Sequence, residues 1–333
     1  MKRTDTVLYP GITLSWLQAQ AEEAPNLDQP GEGIALHYCQ SGRIGWKLPA
    51  SVYLGPGEFL LTDSQSLGEA AISLPNGDYG GWMLRLNGEA LARNLPEPLA
   101  GSGITEEKLL ESYSPGGRPV PFTAEPTLRQ AFESLSVGLE AYRLVFWRIK
   151  VLELLVLLAA GEGCREKRLT EYPAEQVEII RQIHDRLIGN LSERCSIEEL
   201  SRQYLMNPTT LKQMFKTVYG TSIAAHIREH RMEAAARLLA QTDMSIADVA
   251  RQVGYDSQSR FSAAFTEKKR QRDLLDFADL EHLALSLLVT PEEDGTMTPT
   301  PLAQELSAQY DEIMVDEYQD TNAAQDALFS ALS

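Results

Sequence analysis

SIEELSRQ at Ser196–Gln203 returns at Ser245–Gln252 as SIADVARQ, 49 residues further on. Each copy places a serine ahead of an apolar run and an acid three residues later, the pattern of a helix N-cap. Glu199 makes the first copy a capping box. A short turn follows each, LMNP (205–208) and GYD (254–256). A second helical stretch follows each turn, PTTLKQMFKTVYG (208–220) and SQSRFSAAFTEKK (257–269). Leu211/Phe215 and Phe261/Phe265 share an i, i+4 spacing that turns both pairs onto the preceding helix. Short helix, tight turn and second helix make the helix-turn-helix plan. An ordinary helical bundle is the competing reading, but a bundle does not require the same cap, turn and helix twice.

The stretch between the copies, SIAAHIREHRMEAAARLLAQ (222–241), contains no Gly or Pro and is rich in Ala, Leu and Arg, so it is expected as one helix. Twenty residues at 1.5 Å each span roughly 30 Å, and successive major grooves on one face of DNA lie about 34–36 Å apart. The rod therefore suits two readers of double-stranded DNA. The exposed positions early in each second helix are expected to face bases or phosphates: Thr209, Thr210, Lys212, Gln213 and Lys216 in the first, Ser257, Gln258, Ser259, Arg260 and Ser262 in the second. Glutamine can pair with adenine and arginine with guanine through two bonds, while the lysines suit phosphates. A solvated helix face is the rival reading for any one of them.

Charge supports this division. The chain of 333 residues has a net charge of −17, which by itself argues against a polyanionic partner. The deficit is uneven, however. Residues 1–173 hold 15 basic and 21 acidic residues, 174–269 hold 13 and 12, and 270–333 hold 2 and 14. Only the repeat-bearing segment escapes a negative balance. No apolar run reaches membrane-spanning length, the N-terminus lacks an export signal, and three scattered cysteines form no CxxC pair. A cytoplasmic chain without membrane, metal or cofactor is expected, with no catalytic residues.

Residues 1–120 are read as strands and turns, with hairpins expected at Ser41-Gly42, Gly55-Pro56-Gly57 and Asn76-Gly77. Regular turns of this kind suggest a small antiparallel barrel or sandwich. From Pro126 to Ala160 the period becomes helical, and 161–173 has the composition of a linker.

The paired SIEEL and SIADVA starts, the MFK and AAF steps, the RMEAAARLL connector and VGYDSQSRFSAAF resemble AraC/XylS-type transcription regulators over about residues 174–269. HYCQSGRIGW and YLGPGEFLL in the first half are similar to the sensing domain that some members carry. The resemblance implies an α+β multidomain chain: a cupin-like barrel at 1–120 that binds a small effector, a helical dimerisation segment and linker at 121–173, and a tandem helix-turn-helix DNA-binding domain at 174–269. It implies a homodimer, with Phe146, Trp147, Leu152, Leu155 and Val156 as core or dimer seam. Ala263 stands where many relatives have a polar contacting residue.

Residues 270–333 depart from that pattern. RQRDLLDFADLEHLALSLL and YDEIMVDEYQDTNAAQDALFSAL resemble the region around motif II of UvrD-like helicases, most closely the helicase-nuclease AddA. This implies a mostly helical fragment with one orphan strand (Ile313 to Val315). Asp316, Glu317, Gln319 and Asp320 would be a vestigial Walker B element. No Gly-Lys pair occurs in the chain, so a phosphate cradle is missing and ATP hydrolysis is not expected. The two resemblances meet near Glu267–Arg270, as in a gene fusion or a recombination or assembly error, and the tail is expected to expose apolar surface. His226-Ile-Arg-Glu229-His230 matches an HxxEH pattern but shows no third ligand, so it is read as a solvated face. Cys39 is read as a buried strand cysteine.

Overall fold

The computed structural model describes residues 2–20, 33–48, 50–68, 70–137, 140–161, 164–166, 173–193, 195–242, 244–271, 277–291, 297–309, 312–314 and 323–332. The chain divides into two compact units, 1–231 and 232–333.

The first unit opens with strands β1 (Lys2–Tyr9), β2 (Ile12–Gln20), β3 (Ile34–Gly42), β4 (Ile44–Lys47), β5 (Val52–Leu54) and β6 (Glu58–Asp63). Helix α1 (Ser64–Gly68), β7 (Ala71–Ser73), β8 (Asp78–Leu86), α2 (Gly88–Arg93), α3 (Glu106–Tyr113), β9 (Pro121–Ala124), α4 (Pro126–Ser134), α5 (Arg143–Ala160) and β10 (Cys164–Glu166) follow. Seven strands form one sheet in the order β1-β2-β8-β3-β6-β9-β10, and three form another in the order β5-β4-β7. The large sheet is open, with β1 and β10 as its edges, so the expected barrel does not close. The chain leaves this sheet to build the small one, which takes β4, β5 and β7 out of any closing circuit.

That exchange also corrects the three expected hairpins. Strand β3 pairs with β6 and β8, whereas β4, just beyond Gly42, pairs with β5 and β7. Each of the three glycine-bearing turns carries the chain from one sheet to the other. The tight antiparallel pair instead joins β1 to β2 across Pro10-Gly11, with Thr6 opposite Leu14 and Tyr9 opposite Ile12. Within the stretch expected as a linker, Cys164–Glu166 pairs with β9 as an edge strand.

Alternation along the strands sorts the core into two layers. Leu36, Tyr38, Phe59, Leu61, Trp82 and Leu84 face α3, α4 and α5, where Tyr113, Phe132, Leu154 and Leu158 meet them. Tyr38 stacks on Phe132 with centroids 4.2 Å apart. The opposite face sends Leu17, Cys39, Leu60 and Met83 against Ile44, Trp46, Val52 and Leu54 of the small sheet. Cys39 is fully buried, and all three cysteines are free thiols.

Four helices complete the unit's chain: α6 (Ala174–Gly189), α7 (Ile197–Gln203), α8 (Pro208–Tyr219) and α9 (Ile223–Gln241). Leu211, Met214, Phe215 and Val218, the i, i+3, i+4, i+7 stripe of α8, are completely buried against Ile180, Ile183 and Leu200. The unit boundary falls inside α9, which runs unbroken as expected.

The second unit continues with α10 (Ile246–Gln252), α11 (Gln258–Gln271), α12 (Phe277–Leu288), β11 (Val289–Pro291), β12 (Met297–Pro299), α13 (Pro301–Ser307) and α14 (Ala323–Leu332). Met232, Ala235, Val249, Ala250, Val253 and Phe261 form its core. Strands β11 and β12 pair with each other, a hairpin that the sequence does not announce. Ile313 and Met314, expected in a strand, are not in one, and Met314 is 86% exposed. Leu280, Leu283, Leu287 and Leu302 also show apolar surface. Asp316, Glu317, Gln319 and Asp320 lie outside the described residues. Among the described residues, no helix is long and apolar enough to cross a membrane.

Candidate nucleic-acid interface

The repeat seen in the sequence is repeated in the backbone, bond for bond. The Ser196 hydroxyl accepts from the Glu199 N–H at 3.1 Å, and the Glu199 carboxylate accepts from the Ser196 N–H at 2.7 Å. The Ser245 hydroxyl accepts from the Asp248 N–H at 3.2 Å. At the far end of each short helix, the Met206 N–H donates to the Ser201 carbonyl and the Tyr255 N–H to the Ala250 carbonyl, at 3.0 and 2.9 Å. These are the long closing bonds of a Schellman turn, which needs a left-handed residue just before the donor. That residue is Leu205 in the first copy (φ +50°) and Gly254 in the second (φ +84°). Leu205 is the one described non-glycine residue with positive φ, and its side chain is 94% exposed.

Each turn delivers a longer helix. The Asn207 side chain caps α8 by accepting from the Thr209 N–H at 2.9 Å, with Pro208 at the first helical position. The Ser257 hydroxyl accepts from the Arg260 N–H at 3.3 Å at the start of α11. With the apolar stripe of α8 buried, Thr209, Lys212, Gln213 and Lys216 share the exposed face, while Thr210 is half-buried. Ser257, Gln258, Ser259, Arg260 and Ser262 are all exposed, as is Ala263. Arg260 lies 3.6 Å from Asp256 with both side chains more than half exposed. Such a pair is worth little in water and gives way readily to a stronger anion.

Two features of the same region are not legible from the repeat. Arg43, at the mouth of β4, is buried to 5% exposure and donates through Nε to the Val218 carbonyl at 2.7 Å and through Nη2 to the Thr217 carbonyl. Asn76 Nδ2 donates to the Tyr219 carbonyl at 3.5 Å. The small-sheet layer thus satisfies the last carbonyls of α8, where a cation also complements the helix dipole. The cue in sequence is weak, since an arginine after a Ser-Gly turn normally stays in solvent.

The HxxEH stretch is also not the solvated face expected. His226 is buried to 8% exposure against Tyr219 and Phe215, and burial, followed by the neighbouring His230 and His184, lowers its pKa to about 4. His184 of α6 stacks on Tyr219 with centroids 4.3 Å apart. Within the repeat, the Glu199 carboxyl is held below the ordinary carboxylate range, chiefly by the Ser196 N–H.

Residues 200–271 match a family model described as a helix-turn-helix domain. The C-terminal domain of AraT, a response regulator from Geobacillus stearothermophilus, is 28% identical and covers 30% of this chain and 88% of that one, with a TM-score of 0.26. ToxT from Vibrio cholerae is 13% identical and covers 77% of this chain and 93% of that one, with a TM-score of 0.30. The AddA protein of the ATP-dependent helicase/nuclease of Clostridium perfringens strain 13 is 42% identical over 73 residues, 22% of this chain. The chain spans only 6% of the length of that relative. Residues 200–271 are thus a helix-turn-helix domain of the AraC type, in a chain that also carries a stretch similar to the ATP-dependent helicase/nuclease AddA.

Proposed function

We propose that the chain is a sequence-specific DNA-binding transcription regulator, in which α7–α8 and α10–α11 are two readers of adjacent major grooves. The observation that carries this reading is the doubled cap, Schellman turn and polar-faced second helix, lying across a segment that matches a helix-turn-helix domain. Helix α9, at 19 residues, spans about 28 Å, close to the groove repeat. Gln213, Gln258 and Arg260 read base edges, and Lys212 and Lys216 hold phosphates. The protein works in the cytoplasm, without catalytic chemistry.

A small effector held by the 1–120 layer would bias the first reader through Arg43 and Asn76, whose bonds to the end of α8 give the coupling a physical path. On α5, Val145, Ile149 and Val156 lie on one face, 56%, 60% and 49% exposed, and serve as a homodimer seam, while Leu155 and Trp147 belong to the core side. The binding test is anisotropy of the full chain on a library of duplexes over a range of salt. Sequence-selected binding whose logarithm falls linearly with log salt supports the proposal. Equal, weak binding to every duplex refutes it. A single mass at all concentrations, matching one chain by light scattering, removes the dimer.

A second reading, an ATPase-related helicase fragment, rests on the 73-residue similarity. ATP turnover by the full chain would favour it over the regulator.

A further inference from the structure

Three imidazoles converge where α6 meets the first turns of α9. His184 stands on α6, and His226 and His230 stand one turn apart on α9. A ligating nitrogen from each lies within 4.8 Å of the other two. The Nε2 atoms of His226 and His230 are 3.1 Å apart. Two nitrogens bound at about 2.05 Å to tetrahedral zinc are separated by roughly 3.3 Å, so this pair already has the bite of a metal chelate.

His184 supplies the second, independent observation. Its Nε2 is buried and has no hydrogen-bond partner among the described residues, while its Nδ1 lies 3.0 Å from Asp185 Oδ1. A proton on Nδ1, donated to that carboxylate, leaves the lone pair on Nε2, facing the α9 histidines. Carboxylates orient metal-ligating imidazoles in this way. His184 and His226 are each only 8% exposed, and an all-imidazole set suits zinc and its late first-row neighbours over magnesium or calcium.

We propose that His184, His226 and His230 form a binding site for one divalent transition-metal ion, Zn²⁺ above all, with water in the fourth position. Asp185 is a positioning residue. The ion ties α6 to α9 beside Tyr219, on which His184 stacks, and so stiffens the frame around the end of α8. The site needs no nucleic acid, so it stands or falls separately from DNA binding.

The test is titration of the full chain, stripped with chelator, by Zn²⁺ in a calorimeter and by Co²⁺ in a spectrophotometer. The expected result is one ion per chain, visible cobalt bands of four- or five-coordinate strength, a higher melting temperature with Zn²⁺, and no response to Mg²⁺. His184→Gln and His226→Gln abolish the binding, as does His230→Gln, whose half-exposed position spares the core if the other two fail to fold. Asp185→Asn keeps the stoichiometry and weakens affinity by about 10- to 100-fold. No binding by the native chain at micromolar Zn²⁺ overturns the proposal, leaving an aromatic cluster. Binding that survives His184→Gln unchanged also overturns it, leaving a surface chelate of two helix histidines.

Discussion

Replacing Leu205 with glycine should stabilise the protein, an unusual expectation for removing a leucine. The residue sits at φ +50° with its side chain 94% in solvent, so truncation forfeits almost no burial. A left-handed conformation costs a side-chain-bearing residue roughly 1–2 kcal/mol. Glycine removes that strain but adds freedom to the unfolded chain, worth about 0.5–1 kcal/mol in the other direction. The net expectation for Leu205→Gly is a gain of about 0.5–1 kcal/mol. Gly254, at the same place in the second copy with φ +84°, gives the mirror experiment. Gly254→Leu should lose at least a comparable amount. Urea unfolding followed by far-UV circular dichroism measures both, with an unchanged slope showing that the shift lies in stability rather than in the surface exposed. Leu205→Asn should fall between, since asparagine tolerates this region better than leucine. If Leu205→Gly destabilises the chain, the left-handed turn is not the strained element described, and the structural equivalence of the two turns fails with it.

Arg43→Met should cost about 3–5 kcal/mol in urea unfolding, because it strips a buried cation from the Thr217 and Val218 carbonyls and leaves them dry; a loss below about 1 kcal/mol contradicts that contact. Burial pushes the Cys39 thiol up to about 12, so under native, mildly alkaline conditions iodoacetamide should modify the half-buried Cys195 well before Cys39, read by peptide mass spectrometry. The depressed Glu199 carboxyl adds stability above its unfolded pKa and loses it as pH falls through the folded value. Glu199→Gln should therefore flatten the acid limb of the stability–pH curve, and an unaltered limb counts against the capping box. Lys216→Ala should reduce the salt slope of DNA binding by about 0.9 and weaken all sequences alike. Arg260→Ala should cost about 1–3 kcal/mol at one base position and relax selection there; a uniform loss would make it a phosphate contact instead.

The repeat region is legible in the sequence because its signals are local. Ser196, Glu199, Ser245, Asn207 and Pro208 act within one turn of themselves, and the stripe from Leu211 to Val218 states its buried face outright. Sheet pairing is not local. A glycine turn announces that the chain changes direction, not which strand it will meet, and at Gly42 the next strand joins another sheet. The tail's expected strand at Ile313 fails for the same reason, since three apolar residues need neighbours to become a strand. His184 escapes notice because its partners lie 42 residues away and more, on another helix. Nothing in RQIHDRL marks that ring as facing the HxxEH pair. Arg43 is hidden likewise, being defined by carbonyls 174 and 175 positions downstream.

The three passages of the chain between its sheets bear on how fast the first unit assembles. Strand β4 must find β7, and β8 must settle between β2 and β3, before either layer has a complete edge on which to grow. Each layer is threaded through the other's sequence, so neither can be made ahead of its partner by local closure alone. Such long-range pairing is intrinsically slow. On dilution from urea, the helical repeat should regain its circular dichroism early, while tryptophan signals from Trp46 and Trp82, one in each sheet, lag behind and rise together.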